Sequence, residues 1–190
     1  MTSRPAADVV VVGGGVIGLA IAYELARRER RVVVLDRGDA VGAASRAAAG
    51  MLAPGSEADL TEPAQVELEL DSLRRYPVLV RELEGVAGVS CRYRTEGTLW
   101  VALNHDQAGE LERLAAFQRQ KGLGAEPLPP DAVRAREPHL SGRVVAGLLI
   151  AGDHQVDPRA LTTVLAAALD RRGGRVVRGA RATAIEHAGG

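Results

Sequence analysis

The sequence has too little cysteine, too little net charge and too few long apolar runs for several classes of protein. It contains one cysteine, Cys91, which excludes an internal disulfide and favours a small buried side chain in a reducing compartment. Its 24 basic residues balance its 24 acidic residues, so the charge favours neither a nucleic acid nor an acidic membrane surface as a partner. No apolar stretch approaches the roughly 20 residues of a membrane span, and residues 9–16 are too short and too rich in glycine for a signal sequence. We therefore expect a cytoplasmic protein.

The sequence also lacks the spacing of metal ligands and of a nucleophilic triad. Its histidines are scattered over predicted loops, at His105, His139, His154 and His187. Ser45 has no histidine and aspartate in a recognisable arrangement around it. We therefore predict no metal site, and we assign no catalytic residue.

Residues 9–35 have the pattern of a strand, a helix and a second strand. Val9–Val12 is a β-branched run, typical of a strand that is buried on both faces of a parallel sheet. From Val16 the apolar residues recur at helical spacing, and the helix should end near residues 28–30. Val32–Leu35 is a second buried strand. Because such a unit forms a right-handed crossover between parallel strands, we predict an α/β fold with a Rossmann-like parallel sheet.

Three glycines between the first strand and the helix, Gly13, Gly15 and Gly18, have the spacing G-x-G-x-x-G. Gly13 permits the tight turn, Gly15 lets the backbone approach a pyrophosphate, and Gly18 lets the helix pack closely on the sheet. The N–H groups and the dipole at the helix start favour a bound anion. Asp36, at the end of the second strand, can accept hydrogen bonds from ribose hydroxyls and would repel a 2′-phosphate. The pattern predicts a site for FAD or NAD; the alternative is a glycine-rich turn with a surface aspartate that binds nothing.

The remaining sequence predicts helices and short strands separated by loops rich in glycine and proline. We expect a short helix from about Ser45, a long helix over residues 62–88 with Pro77 inside it, a capped helix over 104–122, a short helix over 131–136, a strand from 145 and a helix that begins at Pro158. Residues 91–103 alternate across a turn and predict a β-hairpin, with Trp100 in the core. The segment after residue 174 predicts one strand and the start of another.

The stretch that begins at Asp36, DRGDAVGAASRAAAGMLAP, resembles the flavin-contacting segment of the D-amino acid oxidase family of FAD-dependent oxidoreductases, most closely that of its glycine-oxidising members. The shared pattern is S-x-A-A-A-G-M-L, which begins at Ser45, and its small side chains suit a helix that passes beneath a flavin. Standing alone, the stretch would better suit a helix packed closely on a neighbour, and it is the preceding dinucleotide pattern that favours a flavin. Two residues depart from the family pattern, since Asp36 replaces a glutamate and Arg46 replaces a small or hydroxyl residue.

This resemblance, which extends over the whole chain, implies a set of flavin contacts. They are Val16 and Ile17 at the phosphates, Asp36 and Arg37 at the ribose and adenine edge, then Ala44, Ser45, Ala49, Gly50 and Met51, and the backbone near Ala182 at the adenine. The resemblance also implies that residues 1–85 are the first part of an FAD-binding domain, that 86–152 are part of an α+β substrate domain, and that 153–190 return to the FAD-binding domain.

The activity implied by the resemblance is that of an FAD-dependent oxidase that deaminates glycine or another small amino acid for thiamine biosynthesis. The products would be an imine or 2-oxo acid, ammonia and hydrogen peroxide. A D-amino acid dehydrogenase or a sarcosine oxidase would share this part of the sequence, and an FAD-binding module without catalysis is the alternative from another class. Family members are much longer, so we interpret the sequence as a truncated N-terminal part that is inactive by itself. A small amino acid is the expected partner, and the full-length enzyme could form a homo-oligomer.

Overall fold

A computed structural model describes residues 7–38, 43–57 and 62–186 and divides the chain into two compact units. The first unit consists of Met1–Gly50, Tyr76–Tyr93 and Val156–Gly190, and the second of Met51–Arg75 and Arg94–Gln155. The first unit contains a parallel sheet with helices, which confirms the predicted α/β class. The predicted domain boundaries after residues 85 and 152 stay a prediction.

The strands and helices of the described residues follow the predicted order closely. They are β1 (Val9–Val12), α1 (Val16–Arg27), β2 (Val32–Leu35), α2 (Ala43–Ala47), β3 (Met51–Leu52), α3 (Pro63–Ala87), β4 (Thr98–Ala102), α4 (His105–Gln120), β5 (Glu126–Leu128), α5 (Pro130–Arg136), β6 (Ala146–Ile150), β7 (His154–Gln155), α6 (Pro158–Arg171) and β8 (Arg175–Val177). All the predicted helices are present, and α3 contains Pro77 in its interior.

The first unit has a three-stranded parallel sheet of order β1-β2-β8. Val9 of β1 lies opposite Val32 of β2, and Val33 of β2 lies opposite Arg175 of β8. Since α1 connects β1 to the parallel strand β2, the predicted strand–helix–strand unit is confirmed. Parallel strands end at the same edge of their sheet, so the turn after β1 and the residue after β2 become neighbours.

Burial differs between the two faces of this sheet. Val32 and Val34 are almost fully buried, whereas Val10 and Val12 are 54% and 65% exposed. The prediction that β1 is buried on both faces is therefore wrong. The helix α1 packs against β2 and α6, and its buried residues are Leu19, Ala22, Tyr23 and Ala26. A β-branched run shows that a strand is suited to a buried sheet, but it does not show which face the rest of the chain covers.

The helix α6 begins at a side-chain cap. Both Arg159 and Ala160 donate their backbone N–H groups to Oδ1 of Asp157, at 2.9 and 3.0 Å. Pro158 occupies the first turn, where its missing N–H costs no hydrogen bond. The apolar side of α6 is buried through Leu161, Val164, Leu165, Ala168 and Leu169. The predicted helix start at Pro158 is thus confirmed.

The second unit is built on antiparallel pairs. Its larger sheet has the order β4-β6-β5, and a smaller sheet pairs β3 with β7. Buried apolar residues of β4, α4 and β6 form its core, and they are Ala102, Leu111, Ala115, Leu148 and Ile150. Among the helices that the structure describes, none is both long and apolar enough to cross a bilayer.

The predicted hairpin over residues 91–103 is wrong. Its first half forms no strand with β4; instead Arg94 makes an isolated antiparallel bridge with Gln155, and β4 pairs with β6. Trp100 is 42% exposed, so its predicted place in the core is also wrong. Alternation indicates a strand with two different faces, but the partner lies more than forty residues further along the chain.

Two further predictions concern the neighbourhood of Cys91 and the end of the chain. Cys91 is fully buried, as expected of a small apolar side chain. After β8 the structure forms no second strand as far as residue 186, which contradicts the predicted start of another strand within the described part. Residues 187–190, with His187, lie outside the described residues.

Candidate functional site

The turn between β1 and α1 is shaped by glycine. Gly13 has a φ of +106°, a conformation that side chains other than glycine rarely adopt, and its N–H donates to the carbonyl oxygen of Leu35 at 2.8 Å. Gly15 is the N-cap of α1 and has no side-chain capping bond of its own. The turn thus presents the backbone N–H groups at the start of a twelve-residue helix, where the helix dipole favours negative charge.

Gly18 brings α1 close to this turn. A Cβ atom at Gly18 would overlap the carbonyl oxygen of Gly13 and would lie 3.4 Å from a methyl group of Val11. No side-chain rotation can relieve an overlap with backbone. Gly18 is therefore required by the packing of the helix on the strand, whereas a Cβ at Gly15 would meet only the hydroxyl of Ser45, at 3.3 Å.

Asp36 follows β2 and binds the glycine turn directly. Its Oδ2 accepts the N–H of Gly14 at 2.5 Å, and its Oδ1 accepts the N–H of Gly38 at 2.7 Å. These two bonds, the one from Gly14 first, lower the pKa of Asp36. The carboxylate is ionised at neutral pH, and each oxygen retains a lone pair that can accept a further hydrogen bond.

The helix α2 contributes Ser45 to the start of α1. The hydroxyl oxygen of Ser45 accepts the backbone N–H of Val16 at 3.0 Å, and the Ser45 side chain is buried. Asp36 and Ser45 therefore hold successive parts of the same turn from two sides, at Gly14 and at Val16. The sequence predicts Asp36 at the ribose and Ser45 among the flavin contacts, but it does not predict that both residues bind the turn itself.

A cavity of about 1050 Å³ opens beside this turn, entirely within the first unit. Nine of the thirteen residues predicted to contact the cofactor line it, and these are Gly13, Gly15, Val16, Ile17, Asp36, Arg37, Ala44, Ser45 and Ala182. The volume lies just above the roughly 300–1,000 Å³ typical of small-molecule sites, which suits an extended ligand.

The other four predicted residues do not line this cavity. Gly18 lies behind the turn, and Ala49, Gly50 and Met51 follow α2 along the chain. Gly50 has a φ of +83°, and a Cβ there would overlap the carbonyl oxygen of Val156, whose N–H donates to Gly50 at 2.9 Å. The positive φ and the close approach of Val156 explain why glycine occupies position 50, and the contact of Gly50 with a flavin stays a prediction.

The sequence analysis does not predict two of the arginines that line the cavity. Arg46 of α2 and Arg181, in the extended segment after β8, both line it. In the sequence Arg46 is only a departure from the family pattern, and no local signal marks Arg181. Its position follows from a long-range contact, because the N–H of neighbouring Ala180 donates to the carbonyl oxygen of Asp36 at 2.8 Å.

Arg92 and Arg94, two arginines that precede β4, form ion pairs with acidic side chains. Arg92 forms an ion pair with Asp157 at 3.4 Å, and Arg94 forms one with Glu96 at 2.9 Å. Within the described residues no group of histidine, cysteine and acidic side chains is arranged to hold a metal ion.

Comparison with known proteins identifies relatives over nearly the whole chain. The family model described as FAD dependent oxidoreductase, DAO, matches residues 8–190. A glycine oxidase from Geobacillus kaustophilus is 38% identical over 160 residues, which are 84% of this chain and 42% of the relative. A putative thiamine biosynthesis oxidoreductase, ThiO, from Rhizobium etli is 35% identical over 163 residues, 85% of this chain and 46% of the relative.

The solved structures give the same result. The crystal structure of glycine oxidase from Geobacillus kaustophilus superimposes with a TM-score of 0.85 and 35% identity, covering 91% of this chain and 46% of that chain. The present chain thus spans less than half the length of each of these relatives.

Proposed function

The chain belongs to the DAO family of FAD-dependent oxidoreductases, and from that premise we propose that it binds FAD in the cavity beside its glycine turn. The observation that carries the proposal is the meeting of three different groups at one cavity. The helix start at Val16, the ionised carboxylate of Asp36 and the small residues of α2 all border it. Each suits a different part of a dinucleotide.

The backbone at the start of α1 would bind the pyrophosphate. The N–H groups of Gly14 and Val16 already donate to Asp36 and Ser45, so the remaining N–H groups of the turn and the helix dipole would bind the negative charge, and Gly15 has no Cβ that would occupy the space beside Ser45. Asp36 would accept hydrogen bonds from the ribose hydroxyls through the lone pairs that Gly14 and Gly38 leave available. The segment at Ala182 would contact the adenine. These assignments fit FAD, since the carboxylate disfavours a ligand with a 2′-phosphate.

FAD supplies the capacity to accept a hydride when it is bound, and this chain's residues bind and orient it. We propose that the reaction is the oxidation of glycine or another small amino acid, in support of thiamine biosynthesis. The amino acid would lose two electrons and two protons, water would hydrolyse the imine to a 2-oxo acid and ammonia, and dioxygen would be reduced to hydrogen peroxide. The names of the relatives support this substrate class. No side chain of this chain is assigned as an acid or base.

The experiment compares FAD with NAD and NADP as ligands of the purified chain by titration calorimetry. Binding of FAD, with NAD and NADP weaker by at least about tenfold, is expected. Preference for NAD or NADP would contradict the cofactor assignment.

A second assay tests the reaction by offering the FAD-loaded chain glycine, sarcosine and D-alanine while hydrogen peroxide and reduction of a dye are measured. We expect no turnover from the 190 residues alone, and peroxide from glycine in a protein of the relatives' full length. Dye reduction without peroxide would favour a dehydrogenase, and preference for sarcosine would favour a sarcosine oxidase. Peroxide release by the chain alone would mean that it binds the substrate carboxylate itself, and the guanidinium groups of Arg92 and Arg94 would be the first to test for that contact by substitution.

A further inference from the structure

The cavity beside the glycine turn carries an excess of positive charge. Arg37, Arg46 and Arg181 line it, and Asp36 is the one acidic residue among the described residues that do so. Both oxygens of Asp36 already accept backbone N–H groups, so the carboxylate is directed at the glycine turn and at Gly38. Among the described residues that line the cavity, three guanidinium groups against one carboxylate leave an excess of positive charge.

Within the described residues, these arginines lack the ion pairs that several other arginines of the same unit form. Arg27, Arg31, Arg92 and Arg172 each lie within 4 Å of a carboxylate. Within the part of the chain that the structure describes, none of the three cavity arginines has an ion-pair partner. A cation without a partner at a cavity is poised for an anionic ligand, because binding does not require an existing ion pair to be broken.

The backbone at two of these arginines is anchored by long-range hydrogen bonds. The carbonyl oxygen of Arg46 accepts Nε of Arg159 at 3.3 Å, which ties the end of α2 to α6. The segment with Arg181 is tied to β2, because Ala180 donates to the carbonyl oxygen of Asp36 at 2.8 Å. Both guanidinium groups thus extend from fixed backbone positions on different elements.

We infer that Arg46 and Arg181 are specificity-determining residues that make this cavity select ligands with a diphosphate bridge over uncharged nucleosides. The inference rests on the proposed FAD site and adds to it the two residues that recognise the charge of the ligand. The excess of positive charge among the described lining residues suits the negative charge of a diphosphate bridge. Guanidinium groups can also bind phosphate oxygens in pairs.

The test measures binding of FAD, ADP and adenosine to the full chain by titration calorimetry at low and high salt. Arg46→Gln and Arg181→Gln should each weaken FAD and ADP by about threefold to tenfold at low salt, with a smaller effect at high salt because exposed charges are screened. Adenosine, which has no phosphate, should bind equally to all variants. Arg46→Lys keeps the charge and should recover most of the affinity for ADP.

The matched control is Arg134→Gln on α5, an exposed arginine of the second unit that does not line the cavity. It should leave all three affinities unchanged. If wild-type chain binds neither FAD nor ADP, the proposed FAD site itself is wrong. If wild-type chain binds both but the two glutamine variants bind them equally well, or lose adenosine in the same proportion, only the role of Arg46 and Arg181 is overturned.

Discussion

At the scale of single residues, Asp36 has two tasks that sequence patterns do not separate. It holds the glycine turn through Gly14 and Gly38, and it is proposed to hold the ribose. Asp36→Ala should lower the affinity for FAD by more than about tenfold, because hydrogen bonds to charged groups contribute roughly 1.5–3 kcal/mol each. Asp36→Asn, which retains one acceptor oxygen, should be intermediate. Calorimetry measures both, and an affinity for FAD within twofold of wild type in Asp36→Ala would rule out the ribose contact.

Cys91 permits a pH prediction. Burial, and then hydrogen bonding with Glu84, raise the pKa of the Cys91 thiol to about 11. Folding therefore favours the neutral thiol. This contribution to the free energy of unfolding is complete below the pKa of the thiol in the unfolded chain, about 8.5, and is lost as the pH rises towards 11.

Since the thiolate is the reactive form, a thiol reagent at pH 8 should label the Cys91 thiol in the native chain at least about 100-fold more slowly than in the unfolded chain. Equal labelling rates would show that Cys91 is accessible in the native chain. The Cys91→Ser variant measures background labelling, because the sequence contains no other cysteine.

At the scale of elements, the contact between α1 and the glycine turn depends on Gly18. Gly18→Ala should lower the free energy of unfolding by about 1–3 kcal/mol, because its Cβ would overlap backbone and force the helix away. Gly85→Ala in α3 is the matched control. Its Cβ would meet no atom within 4 Å, and alanine should stabilise the helix by up to about 1 kcal/mol. Denaturant unfolding measures both changes, and a loss of stability in the control equal to that in Gly18→Ala would refute the packing explanation.

Helix ends give a second prediction at this scale. The chain after α1 turns at Glu29, with a φ of 61°, and Arg30 donates to the carbonyl oxygen of Leu25. After α4 the equivalent residue is Gly122, with a φ of 69°. Because positive φ strains residues with a Cβ, Glu29→Gly should raise the free energy of unfolding by about 0.5–1 kcal/mol, and Gly122→Ala should lower it by about 1 kcal/mol. Destabilisation by Glu29→Gly would show that the glutamate side chain outweighs the backbone strain.

The elements also show how far sequence reasoning reaches. The unit of β1, α1 and β2 was predictable because its glycines, its helical spacing and its β-branched runs lie within thirty residues. The pairing of β4 was not, because alternation describes the faces of a strand and not its partner in β6. The same limit applies at the cavity. The position of Asp36 could be predicted from the motif, but that of Arg181 could not, because it depends on a contact between segments that are far apart in the sequence.

At the scale of the whole molecule, three distant segments build the candidate site. The described lining residues lie within 12–17, within 35–38 and 44–48, and within 180–182, and all belong to the first unit. The relatives are more than twice as long as the part that matches, so the activity of a full-length protein is a proposal while membership of the family is established. Binding of FAD is therefore the part of the proposed function that can be tested with this chain alone.

The most direct test is a titration of FAD into wild-type chain and into Gly15→Val, with circular dichroism to show that both are folded. A valine side chain would enter the space between the glycine turn and Ser45, where the pyrophosphate is proposed to bind, while the φ of Gly15, −75°, is accessible to valine. We predict saturable binding of one FAD per wild-type chain and loss of that binding in a folded Gly15→Val chain. Equal affinity of the two chains for FAD would contradict the account.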